Sequence, residues 1–245
     1  MIFIGFGFLM TFLKKYGLSA VSLNMMISAL CIQWTILVSG FLHPHYDHCE
    51  HEEEDGGHMK RAAKKALYNS NCSPNWPWID INIVTLLNAD FATAAVLITF
   101  GVVLGTTSPV QLVIMSIIEI VLFNVNEVIG RSYLKAVDAG DTIFVHLFGA
   151  YFGLAISRVL YDKATTESSK AGSTRISDLF SMIGTVFLWM YWPSFNGGAA
   201  AAGDAQMRAV INTYLSLCAC CISAFAVSAL VNPQRRFCMV THWDR

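Results

Sequence analysis

The stretch GDTIFVHLFGAYFGL, Gly140 to Leu154, sets one histidine, His146, inside a segment otherwise apolar enough to lie in a bilayer. An ionisable side chain at that depth is costly unless it faces a protein interior or a water-filled path, so it marks a candidate functional site. The stretch also decides the fold, because apolar blocks of the same kind recur along the whole chain.

Of 245 residues, 55% are hydrophobic and only 13% charged, and the mean hydropathy is +0.51. That excludes an ordinary soluble domain. The blocks fall at about residues 1–13, 19–42, 81–105, 109–130, 141–161, 179–196 and 209–231, several of them reaching the roughly 20 residues that cross a hydrocarbon core as a helix. Helices satisfy their own backbone groups in lipid, so the expectation is an all-α integral membrane protein with six full spans and one partial span. Residues 1–231 form one transmembrane domain with a polar loop at 43–80, and 232–245 form a polar tail. A net charge of −1 suggests neither nucleic acid nor acidic lipid as a partner; the bilayer itself is the implied surroundings.

The first block is too short to span. Lys14 and Lys15 follow its apolar run instead of preceding it, which fits a signal peptide poorly and suits the remainder of a helix begun upstream. Cys31, Cys218, Cys220 and Cys221 lie in apolar blocks, where free cysteine acts as a small hydrophobe. Cys49 and Cys72 share the polar loop and are able to pair in an oxidising compartment. The 16 Lys and Arg divide almost evenly between the two faces, so the positive-inside rule orients the chain weakly. The sequon Asn71-Cys72-Ser73 would put the 43–80 loop outside, in agreement with that weak bias. Residues 162–177 read as a flexible polar connector.

Several residues invite chemistry. His146 titrates near neutrality when unperturbed; the bland alternative is a neutral histidine hydrogen-bonded to a neighbouring helix. Gly149, Ala150 and Gly153 come after it on one helical face, where small residues suit either a close helix approach or a narrow path. Asp138 and Asp141 compete for the helix start, where the dipole favours a carboxylate. The run FLWMYWPSFN, Phe187 to Asn196, is either an interfacial aromatic belt or a vestibule that attracts cations. Glu119, Asn124, Asn126 and Glu127 make the fourth block the most polar. Helix-to-helix hydrogen bonds account for the asparagines, and the glutamates need a partner or a wet face. In the 43–80 loop, His45-x-x-His48 and His48-x-x-His51 have spacings that ligate zinc or copper. They lack a scaffold, and the acidic run Glu52–Asp55 suits a solvated loop, so no metal and no cofactor is expected. The enzyme signatures sought (a Gly-rich phosphate loop, HExxH, a Gly-x-Ser-x-Gly elbow) do not occur.

Four passages resemble the Rh glycoproteins of the ammonium-transporter/Rh family. They are Met1 to Leu13 (MIFIGFGFLMTFL), Asn88-Ala-Asp-Phe91, Asp138 to Leu154 with its His-x-Phe-Gly-Ala-Tyr-Phe-Gly, and Phe187 to Asn196. They keep the family's order up to about Val231. The resemblance implies a bundle of eleven or twelve helices in two inverted halves, with an apolar pore through each subunit of a homotrimer in the plasma membrane. It implies ammonia or ammonium as substrate. Carried over by motif, His146 resembles the first of two pore histidines and Asp138 the acidic residue before it, while Phe91 and Phe195 resemble the phenylalanines that close the outer mouth. Asn71 is the glycosylation candidate. The second pore histidine belongs to the family's other half, and His242 lacks its motif. The chain therefore reads as about half of a transporter, cut at both ends. A cation pays a large desolvation cost in hydrocarbon and neutral ammonia far less, so a greasy tube behind a gate makes physical sense. Two other readings accompany this one: a non-transporting subunit that assembles with full-length partners, and a seven-helix receptor.

Overall fold

The helix at Ile83–Val103 (α3) is buried along most of its length, with Ala92, Ala94, Ala95, Val96, Leu97, Phe100 and Val103 fully enclosed. A helix apolar all round belongs at the centre of a bundle, and the others are arranged about it. The structure, a computed structural model, describes residues 2–42, 79, 81–198 and 200–231. Around α3 stand α1 (Ile2–Leu9, extended by a 3₁₀ turn Met10–Phe12), α2 (Ser19–Leu42), α4 (Pro109–Glu127) and α5 (Phe148–Val159). A short turn, α6 (Lys163–Thr166), leads to α7 (Arg175–Gly198) and α8 (Asp204–Val231). α3 packs on α2, α4 and α5, while α1 lies between α2 and α7, and α7 carries α8 on its far side.

The boundaries obey local chemistry. α4 opens with Ser108 at its N-cap, where Ser108 Oγ accepts from Gln111 N and Gln111 returns the bond, and Pro109 fills the first turn. That reciprocal pair and a proline with no N–H to satisfy fix the start. α4 then widens into a π-helical turn at Val128–Tyr133, and a second π turn, Thr142–Leu147, leads into α5. The apolar blocks match the helices closely, with two differences. α8 begins at Asp204, five residues before the apolar block, because Asp204, Gln206 and Arg208 form its exposed first turns. Among the described residues five helical segments, not six, are both long and apolar enough to cross a membrane: Ser19–Leu42, Ile83–Val103, Pro109–Tyr133, Thr142–Val159 and Asp204–Val231. α7 has the length, at 24 residues, but its Trp, Tyr, Pro, Asn and Gly residues dilute its apolar character. The connector at 162–177 is capped structure: Asp162 accepts from the Thr165 hydroxyl at 2.7 Å, from Thr165 N at 3.0 Å and from Ala164 N at 3.3 Å, which holds its carboxyl below the usual carboxylate range.

α1 and α7 run antiparallel in close contact. A Cβ on Gly184 would lie 2.6 Å from the Gly5 carbonyl oxygen, and one on Gly5 would lie 2.6 Å from the Leu188 side chain. Ser181 Oγ donates to Leu9 O at 2.9 Å and Ser177 Oγ to Phe12 O at 3.1 Å. These hydroxyls satisfy the carbonyls left open at the end of α1. The loop at 43–78, with Asn71, the Cys49–Cys72 pair and the histidine run, and the tail at 232–245, with His242, lie outside the described residues.

Gly184→Ala should force α1 and α7 apart at a cost of about 1–3 kcal/mol. A lower thermal midpoint of the purified protein in detergent is the expected result; an unchanged midpoint would show that the two helices do not meet this closely.

Candidate functional site: an aromatic constriction and a histidine

Three elements bring the sequence-selected residues together. Phe91 comes from the third turn of α3, Trp192 and Phe195 from the last turns of α7, and His146 from the π turn before α5. Phe91 and Phe195 meet edge to face with ring centroids 4.7 Å apart, the geometry favoured by the ring quadrupoles. Trp192 stacks on Phe195 at 4.8 Å and 14°. The His146 ring lies 5.3 Å from Trp192 and 6.2 Å from Phe195. Among the described residues the imidazole makes no hydrogen bond, so the reading of a histidine tied to a neighbouring helix does not hold for it.

Two cavities flank this aromatic layer. One, of about 220 Å³, is lined by Asp90, Phe91, Tyr191, Ser194 and Phe195 among others, at the end where α3 begins and α7 finishes. The other, of about 410 Å³, is lined by Phe6, Ile98, Leu188, Trp189 and Leu217 together with His146 and Thr185. Trp192 and Leu188 border both. A cavity that carries one carboxyl, Asp90, thus lies beside the rings, and a second, apolar one holds a single imidazole.

Asp138 lines neither of these cavities. Its carboxylate accepts backbone N–H bonds from Thr142 (3.0 Å), Ile143 (2.6 Å) and Phe144 (3.1 Å), so it anchors the turn that carries His146. Asp141, its rival in the sequence, adopts a left-handed conformation with φ of 50° and turns to Arg131, which also pairs with Glu127 at 2.8 Å and lies over the Phe144 ring. Burial pushes the Asp141 carboxyl up to about 6; the Arg131 guanidinium opposes the rise, and the Glu127 and Asp138 carboxylates add to it.

Gly149 and Gly153 press on α3: a Cβ on Gly149 would lie 2.6 Å from the Ala95 carbonyl oxygen, and one on Gly153 2.9 Å from Val102 Cβ. Close helix approach, not a path along that face, explains them. Asn124 donates to Ile120 O of its own helix at 2.8 Å, so it does not bridge helices as the sequence suggested. Trp192, central here, stood in the sequence only as one of an aromatic run. Among the described residues no group of three or more His, Cys, Asp or Glu side chains could hold a metal.

An all-helical bundle of apolar spans, with a half-buried histidine beside stacked rings, defines an integral membrane protein. A family model for the Ammonium Transporter Family matches residues 1–243, and the chain belongs to that family. It is 47% identical over 241 residues to the ammonium transporter Rh type B of Xenopus tropicalis and 46% identical over 241 residues to the ammonium transporter Rh type A of Mus musculus. Each alignment takes in 98% of this chain but only 46% and 48% of the relative, so the chain spans about half the length of the curated relatives it matches. The solved structure of Nitrosomonas europaea Rh50, described as bearing on conduction by the Rhesus protein family of channels, superposes with a TM-score of 0.75 at 27% identity, over 98% of this chain and 56% of that one. With the family shown, the receptor reading falls.

The raised Asp141 value fixes a sign. A carboxyl whose folded value lies above its ordinary 3.8 contributes stability that is present below 3.8 and lost as pH rises through about 6. Asp141→Asn should therefore flatten the pH dependence of thermal stability between pH 4 and 7, read as the midpoint in detergent; parallel curves for the two proteins would contradict the burial assigned to Asp141.

Proposed function

We propose that this chain supplies one side of a pore that passes ammonia across a membrane, with Phe91 and Phe195 as the gate and His146 as the pore group behind it. The observation that carries the reading is the arrangement at the aromatic layer: a carboxylate-bearing chamber, an edge-to-face pair of rings at 4.7 Å, and an apolar chamber whose histidine lacks a hydrogen bond. Asp90 and the Tyr191 and Trp192 faces suit a hydrated ammonium ion, because carboxylates and aromatic faces both attract cations. The rings exclude its water. The apolar chamber then favours the neutral species, since the ion pays far more to enter. The imidazole is free to offer a hydrogen bond to a small polar guest in an otherwise apolar space. Membership of a transporter family and the names of the Rh type B and type A relatives support the same substrate.

Asp138 enters as the anchor of the His146 turn. Assembly as a homotrimer and residence in the plasma membrane come from the resemblance to Rh glycoproteins and belong to the proposal. A second reading has an observation of its own. α8 buries only Thr213 and leaves a long apolar surface open, which suits a chain that assembles against further protein. Co-purification with a full-length Rh relative, without flux through this chain's own pore, would favour that subunit reading.

His146→Ala in the complete protein should lower ammonia flux by about tenfold, the rate equivalent of one hydrogen bond lost in an apolar site. Flux is read from internal pH in proteoliposomes by stopped flow. Phe195→Ala should change selectivity at the mouth, raising leakage of methylammonium relative to ammonia; wild-type flux and selectivity in both variants would sink the pore assignment.

A further inference from the structure

Glu119 sits in the middle of α4 with none of its surface exposed, and it lines neither cavity at the aromatic layer. Its carboxyl has one partner, the Thr99 hydroxyl of α3, with Oε1 and Oγ1 2.5 Å apart. Its other oxygen, Oε2, is buried without a partner. The same Thr99 Oγ1 lies 2.9 Å from the Gly149 carbonyl oxygen of α5. Among the described residues no Lys, Arg or His pairs with Glu119. A titratable group that faces it from α2 is the Cys31 thiol.

Counting protons decides how these three groups are joined. A threonine hydroxyl has one hydrogen to donate, and a peptide carbonyl can only accept. Were Glu119 a carboxylate, Thr99 would stand between two acceptors with one proton for both. One of its oxygen–oxygen contacts would then hold no hydrogen, and Oε2 would be a charged oxygen with no compensation at membrane depth. With a proton on Glu119, both contacts are filled. Glu119 donates to Thr99, and Thr99 donates to Gly149, whose carbonyl has a second lone pair beside the one used in its own helix.

We propose that Glu119 is held as the neutral acid and acts as a positioning residue: the chain Glu119→Thr99→Gly149 ties α4, α3 and α5 together one turn below His146. The assignment rests on the reading of His146 as the pore group. Gly149 is three residues beyond His146, and its α-carbon faces the Ala95 carbonyl at a separation that admits no methyl group. The bond from Thr99 is therefore the polar half of the contact that sets where the His146 turn stands against Trp192 and Phe195. The cost of an ionisable group at this depth is offset by keeping it uncharged and using it as a donor.

Infrared difference spectroscopy of the complete protein at neutral pH, wild type minus E119Q, tests the protonation. A carbonyl stretch of a protonated carboxylic acid should vanish in E119Q, and in T99V it should move to higher frequency as the acid loses its acceptor. The positioning role is read by flux in proteoliposomes. E119Q, whose amide still donates, should stay within about twofold of wild type, T99V should lose about tenfold, and T99S should restore it. Absence of the carboxylic band, or wild-type flux in T99V, would overturn the proposal. Should T99V fail to assemble, the wild-type minus E119Q band together with T99S flux decides: no band, or T99S flux as low as H146A, counts against it. Unchanged flux in H146A with the band present and shifting in T99V would instead overturn the pore reading and leave the protonated Glu119 standing.

Discussion

The structure depends on how closely α5 approaches α3. Gly149 and Gly153 lie against Ala95, Thr99 and Val102 at distances that exclude a β-carbon. Lipid is as apolar as leucine, so helices within it are drawn together by van der Waals contact and hydrogen bonds, not by burial. Small residues maximise the first and expose backbone carbonyls to the second. With α5 seated this way, the turn before it has one place to go, and His146 meets the rings of α7. The same device recurs between α1 and α7, where Gly5 and Gly184 bring the backbones together and Ser177 and Ser181 donate to the carbonyls at the end of α1.

Charge is sorted by the same constraint. The Arg131–Glu127–Asp141 group stands at one end of the bundle, beside the start of α5, and Lys15 reaches the Gly105 carbonyl at the other. Between them several buried hydroxyls return to their own helices, as Ser28 does to Asn24 O, Thr93 to Ala89 O and Ser116 to Leu112 O. Such bonds satisfy the side chain without demanding a neighbour. Ser177 and Ser181 reach across to one other helix and Thr99 to two, while Glu119 and His146 differ by being ionisable. Glu119 is enclosed and tied; His146 is half-buried and open to a cavity.

Much of this could be read in the chain. Apolar blocks located the helices to within a few residues because a bilayer imposes length and composition together. The motif residues Phe91, His146 and Phe195 proved to be neighbours although more than 100 positions separate the first from the last. Other things were illegible for physical reasons. The helix α7 owes much of its apolar surface to Trp and Tyr, which hydropathy scores poorly. Asp138 and Asp141 are equivalent as letters, and only the left-handed turn at Asp141 decides which carboxylate caps and which pairs with Arg131. Glu119 announced a need for a partner, but nothing in the spacing names Thr99, twenty residues back on a different helix.

The π turn at Thr142–Leu147 resolves an apparent conflict in the sequence. On a regular α-helix His146, Gly149 and Gly153 share one face, so a histidine aimed at α7 and glycines pressed on α3 would compete for the same direction. A π turn inserts one residue without ending the helix, rotating the residues on its N-terminal side by roughly 100° relative to those on its C-terminal side. His146 lies within that turn, next to its last residue, and the glycines belong to the regular helix after it. The phase shift lets the imidazole face Trp192 and Phe195 while Gly149 stays against Ala95. A wider turn has poorer internal hydrogen bonds, and here three of its first amide protons go to Asp138. The carboxylate that lines neither cavity is thus what permits the geometry of the one that holds the histidine.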